Sequence, residues 1–169
     1  MITMAIDGSS KSTGVAIFND EQLVHYECVT ANDKHPFDRI PKMVASIKNI
    51  YETWNVEKVI MEDVLPEDVG HSQQTFKVLH YLQAMVVLTL HINFKQEVEF
   101  FVASEWRKKC GIHTGRGIKR DTLKAADIKF VKEKYNIDAN DDICDAICIG
   151  YAYTHKEEGP IIIDGFEFA

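Results

Sequence analysis

Four carboxylates stand out in this 169-residue chain by position. Asp7 closes the apolar run ITMAID, and Glu62 closes the apolar part of VEKVIMEDV. Asp142 and Asp145 stand three apart at the start of DDICDAICIGYAY, a stretch that reads as a helix, so both fall on one helix face. Taken singly each has a plain explanation: Asp142 suits the positive end of a helix dipole, and Asp7 or Glu62 would pass as an exposed strand end. Taken together they describe a site. Carboxylates gathered at one edge of a sheet repel one another unless cations sit among them, and their hard oxygens suit Mg²⁺ or Mn²⁺. Two such ions about 4 Å apart activate water and stabilise the leaving oxygen in phosphodiester hydrolysis. A metal-dependent nuclease with Asp7, Glu62, Asp142 and Asp145 as ligands accounts for the pattern.

Such chemistry needs a polyanionic partner, and the net charge of −7 argues at first against one. The average hides a segregation. Between Arg107 and Lys134, ten basic residues stand against three acids, a local charge of +7 that leaves −14 for the rest. Lys108, Arg116, Lys119, Arg120 and Lys124 are the candidates for phosphate contact, although a solvated helix face with i,i+4 pairs would carry the same charges.

The elements that must place these residues follow from periodicity. Residues 1–7, 13–18 and 22–30 are rich in Ile, Val, Ala and Phe, are separated by GSSKS and NDEQ, and read as an antiparallel meander. Phe37, Ile40, Met43, Val44, Ile47 and Tyr51 recur at helical spacing, with Pro41 near the start of that helix. VEKVIMEDV reads as a buried strand, residues 72–91 as a helix, and VEFFVAS as another strand, so an alternating β/α tail follows the meander. Phe76, Leu79, Leu82, Met85, Val86 and Leu90 give the long helix more apolar surface than one sheet face needs, which predicts a homodimer. From Trp106 to Gly117 the turn-rich RKKCGIHTGRG reads as a mobile loop, followed by a basic helix over about 119–135. Asn140 or Asp141 can cap the last helix, and residues 156–169 are expected as a peripheral tail.

The composition, 46% hydrophobic, fills the core of one domain, here taken as residues 1–169. No stretch approaches roughly 18 consecutive apolar residues, and the N-terminus lacks a basic region followed by a cleavage site, so a cytoplasmic protein without membrane contact is expected. Cys28, Cys110, Cys144 and Cys148 form no CxxC pair and are expected to be reduced.

Asp7–x–x–Ser10–Lys11–x–Thr13–Gly14 resembles the first motif of the RuvC family of Holliday-junction resolvases, within the ribonuclease H-like superfamily. Ile60–Met61–Glu62–Asp63–Val64 resembles the family's second acidic strand, and Asp142–Ile143–Cys144–Asp145–Ala146 its final D-x-x-D-A helix. The resemblance spans about residues 1–155. It implies an α/β fold whose five-stranded mixed sheet has its first three strands antiparallel and its last two parallel, with helices on both faces. It also implies a homodimer that places paired nicks symmetrically across a four-way junction. Lys108 and Lys119 match positions where the family keeps basic residues near the scissile phosphate, Lys119 the better of the two, and Lys11 resembles a further basic position beside the first acid. Where the bacterial pattern often has an aromatic residue after the second acid, this chain has Val64–Leu65–Pro66–Glu67–Asp68, and Leu65 is the candidate wedge between bases. Compact size and divergence suggest a bacteriophage-encoded member, acting in the host cytoplasm.

Three other readings begin from the same residues. DGSSKSTG is similar to the phosphate-binding hairpin of actin-like sugar kinases, but those need two such domains and a second glycine-rich hairpin, and a Walker A loop fails on the interval from Gly8 to Gly14. No nucleotide cofactor is therefore expected. A ribonuclease acting on RNA–DNA hybrids would use the same metals. A binding module without catalysis would use the basic segment alone.

Overall fold

The computed structural model describes residues 1–65 and 72–155; Pro66, Glu67, Asp68 and the 156–169 tail lie outside the described residues. Five strands make one sheet: β1 (Ile2–Asp7), β2 (Ser12–Asn19), β3 (Gln22–Thr30), β4 (Lys58–Glu62) and β5 (Val98–Phe101). Their order is β3-β2-β1-β4-β5. β1 pairs antiparallel with β2, and β2 with β3, whereas β4 runs parallel to β1 and β5 parallel to β4. The expected meander and mixed sheet are both present.

Side chains alternate across the strands, and the alternation builds two cores. Met4, Ile6, Val15, Ile17, Val59 and Met61 point to one face, where they meet α1 (Pro36–Trp54) and α2 (Gln73–Phe94). Ala5, Ala16, Phe18 and Ile60 point to the other, beneath α3 (Ala103–Lys109), α4 (Arg120–Tyr135) and α5 (Asp141–Thr154). Helices on both faces explain why the parallel strands read as continuous apolar runs.

α1 begins at Pro36 with His35 as its cap, as its apolar spacing suggests, and Pro41 falls in the second turn rather than the first. Two boundaries differ from the sequence reading. The strand read over VEFFVAS stops at Phe101, and Val102 caps α3. The expected loop from Trp106 therefore starts as helix, with Trp106 completely buried among residues of the α5-face core.

α2 is long and apolar enough by length and composition to cross a bilayer. Its Leu79, Leu82, Val86 and Leu90 are buried on the sheet, so it serves as a packing helix here. Those four, of the six counted above, are spent inside the fold. The surplus lies instead on Tyr81, Leu88 and Ile92, which with Phe37 and Pro41 line an apolar groove of about 480 Å³ between α1 and α2.

Candidate active site

The parity that makes two cores also places the acids. Asp7 shares the α5 face with Ala5, and Glu62 shares it with Ile60; the parallel register, ending at Ile6 opposite Met61, sets the two carboxylates side by side at the carboxyl ends of neighbouring strands. The Asn140 side chain accepts from the Ile143 N–H at 2.9 Å and starts α5 directly above. Close approach of that first turn depends on Gly14, which pairs with Asp7: a Cβ there would overlap the Asp142 carbonyl. Asp7, Glu62, Asp142 and Asp145 consequently line one cleft of about 350 Å³. The expected convergence is present.

Neutral and cationic side chains hold the acids in place. Trp106 donates its indole N–H to Glu62 Oε2 at 3.0 Å, and Gln83 donates to the Glu62 carbonyl at 2.9 Å. The Ser12 hydroxyl donates to Asp142 Oδ2. Arg107 stacks on the Trp106 ring, grips the buried Asp127 with both Nε and Nη2, and reaches Asp145 Oδ2 only at 3.9 Å. Asp145 Oδ1 is buried without a hydrogen-bond partner. Buried Arg39 of α1 donates to the carbonyls of Ser10, Asp33 and Lys34, and so fixes the turn between β1 and β2 whose Gly8, Ser9 and Ser10 form one wall of the cleft.

Burial, and after it the charges of Glu62, Asp145 and Asp142, raise the Asp7 carboxyl well above the ordinary range. Asp145 is raised well too, by burial and then by Asp127 and Glu62, with Arg107 opposing. Asp142 is raised mainly by burial, whereas a hydrogen bond from Lys124 lowers Asp141. For a carboxyl raised on folding, the stabilising contribution is complete below the unfolded value and is lost as pH rises through the folded value. The metal-free cluster therefore destabilises the fold at neutral pH. Asp7→Asn should melt higher than wild type in EDTA at pH 7, by roughly 2–4 °C for each kcal/mol of repulsion relieved, with the gap closing near pH 4. Scanning calorimetry at both values checks this.

These are the donors a hard divalent cation takes: carboxylate oxygens, one of them buried and unpartnered, in mutual repulsion. Among the described residues, no three His, Cys, Asp or Glu side chains already converge tightly enough to hold an ion. Ser12 and Trp106 occupy oxygens that an ion would claim.

The basic candidates divide. Arg120 and Lys124 line the cleft, and Lys124 is paired with Asp141. Lys119 is exposed at the N-cap of α4, between Ile118 and Arg120, which both line the cleft. Lys11, Lys108 and Arg116 are exposed, and none of them lines it. Leu65 is half-buried just beyond cleft-lining Val64, at the end of the described stretch. Within the basic segment Arg107 pairs with Asp127 and Lys129 with Glu133, and just beyond it Asp138 pairs with Lys132. Sequence reasoning missed Ser12, Trp106, Arg107 and Asp127 as parts of the site. A buried-type aromatic inside a charged, turn-rich run was the signal available for Trp106.

No protein-family model and no curated protein sequence matches the chain. Solved structures do. RuvC of Thermus thermophilus in complex with a Holliday junction substrate superposes with a TM-score of 0.71 at 14% identity, covering 90% of this chain and 92% of that one. A yeast mitochondrial Holliday junction resolvase gives 0.59 at 11% identity, covering 90% and 78%. The Fowlpox virus resolvase bound to Holliday junction DNA gives 0.51 at 15% identity, covering 90% and 97%. The chain has the fold of RuvC and these resolvases.

Proposed function

We propose that this chain is a metal-dependent, structure-selective DNA endonuclease that resolves Holliday junctions by hydrolysing phosphodiesters in paired, symmetric nicks. The observation that carries the reading is the convergence of Asp7, Glu62, Asp142 and Asp145 in one cleft on a fold shared with junction resolvases. Those four would hold Mg²⁺, for which Mn²⁺ can substitute, and the bound ions would supply an activated water and charge neutralisation at the leaving oxygen. The protein's own part is to hold the carboxylates aimed, through Trp106 at Glu62 and Ser12 at Asp142. Arg120 and Lys124 bring positive charge to the opposite wall. Leu65, just beyond cleft-lining Val64, would be the wedge between bases at a branch point. Cleavage rates on four-way junctions, plain duplexes and RNA–DNA hybrids test the reading. Preference for hybrids would make the chain a ribonuclease H-type enzyme, and tight junction binding without cleavage would make it a binding module.

Lys119 should differ from Arg116. If both meet phosphates, junction affinity falls steeply with salt, and each lost contact flattens the slope by about 0.9 on logarithmic axes. Arg116→Ala should show only that. Lys119→Ala should chiefly slow single-turnover cleavage of saturated junction, as expected of a charge that acts more strongly on the transition state than on the ground state.

Symmetric nicking needs two sites related by a two-fold axis. The groove at Phe37, Leu88 and Ile92, whose exposures are 62%, 57% and 67%, is the surface that supports a homodimer. Leu88→Glu with Ile92→Glu should sediment as a monomer at micromolar concentration where wild type sediments as a dimer, and should nick one strand without its partner. A monomeric wild type, with and without DNA, removes this arrangement.

A further inference from the structure

Arg107 lines the cleft and reaches toward Asp145, yet most of its hydrogen bonding goes elsewhere. Its Nε lies 3.0 Å and its Nη2 2.9 Å from Asp127 Oδ2, while Nη2 stands 3.9 Å from Asp145 Oδ2. The Asp127 side chain is completely buried, and so is the indole of Trp106, on which the guanidinium lies 4.2 Å from the ring. A guanidinium offers five donors in a rigid fork and binds carboxylates two bonds at a time. Left to itself beside Asp145, with its unpartnered Oδ1, it would take that carboxylate as a bidentate partner. Asp127 takes the Nε–Nη2 edge of that fork.

We infer that Asp127 is a positioning residue that holds Arg107 away from Asp145 and so keeps Asp145 open to a divalent cation. The two acids sit on different helices, α4 and α5, with Arg107 reaching between them from α3, so the competition is decided by how these three helices pack. The inference rests on the cation site proposed above. It adds that the cluster's readiness is set from behind, by a fifth carboxylate that does not line the cleft.

The test is a double-mutant cycle read by Mn²⁺ binding to the protein alone, from loss of the free-ion electron paramagnetic resonance signal, with no DNA and no turnover. Asp127→Asn should weaken Mn²⁺ binding roughly tenfold, because the released fork closes on Asp145. In an Arg107→Gln background the same Asp127→Asn change should cost nothing, since no arginine remains to restrain. An equal loss in both backgrounds would show that Asp127 acts only through its charge, and would overturn the inference. So would wild-type affinity in Asp127→Asn. If Asp127→Asn fails to fold, a wild-type Mn²⁺ affinity in Asp127→Glu, which keeps the charge but shifts the fork, would overturn it, and a weakened one would support it. Wild-type protein that takes up no Mn²⁺ at all would remove the cation site itself, and this inference with it.

Discussion

Glu62→Gln should bind a four-way junction as wild type does and cleave it slower by roughly two to three orders of magnitude, the range seen when one charged contact is removed from an active site. The substitution is nearly isosteric. Gln can still accept the Trp106 indole N–H that now reaches Glu62 Oε2 at 3.0 Å, and the bond from Gln83 goes to the backbone carbonyl, which does not change. Packing and position therefore survive, and what disappears is one negative charge at the centre of the cluster. Single-turnover cleavage with saturating enzyme in Mg²⁺, beside binding measured in Ca²⁺, separates the two quantities. Wild-type cleavage would remove Glu62 from the site, and loss of binding would make it a structural residue.

Gly14→Ala should be the most damaging glycine-to-alanine change among the described residues. The added carbon would overlap the carbonyl of Asp142 and the backbone that follows it, and backbone cannot rotate away as a side chain can. Either α5 lifts from the sheet or β2 shifts beneath it. Overpacking of this kind costs about 3 kcal/mol, at the upper end of its usual range, and here the strain falls on the turn that carries Asp142. We expect a lower denaturation midpoint together with loss of cleavage in the fraction that stays folded. Gly150→Ala is the control: it crowds the Phe18 ring under the same helix, about one and a half turns beyond Asp145, and should lower stability while sparing the saturated cleavage rate. Denaturant melts and single-turnover rates on both variants decide between general loosening and local displacement.

The acids were legible in the sequence because each interrupts a pattern. A strand that is apolar through Ile6 or Met61 and then ends in a carboxylate announces a functional edge, and the i,i+3 pair on an apolar helix announces the element that covers it. The mixed sheet was legible for a related reason, since short runs joined by turns can meander while runs joined by helices must cross over in parallel. Arg107 and Asp127 were not. Twenty residues apart and on different helices, they look like two solvated charges until packing buries both, and no periodicity marks a cation that will face inward. Trp106 was lost to its neighbours, because RKKCGIHTGRG drew the loop boundary one turn too early. For α2, apolar residues occur on nearly every side, so counting them shows a surplus but not which of them face the sheet; packing puts Leu82, Val86 and Leu90 there and leaves Leu88 and Ile92, which were not counted, exposed.

The cleft draws its acids from positions 7, 62, 142 and 145, so it joins nearly the first and nearly the last of the described residues. β1 can find β2 within a few residues of leaving the ribosome, but its carboxylate acquires no overlying helix until residue 145 has been made. Contacts of such sequence separation form late, after loop closure over most of the chain. A nascent or prematurely terminated product therefore lacks both acids that α5 brings to the cleft, and a frameshift upstream of α5 yields a chain with only the two strand-end carboxylates.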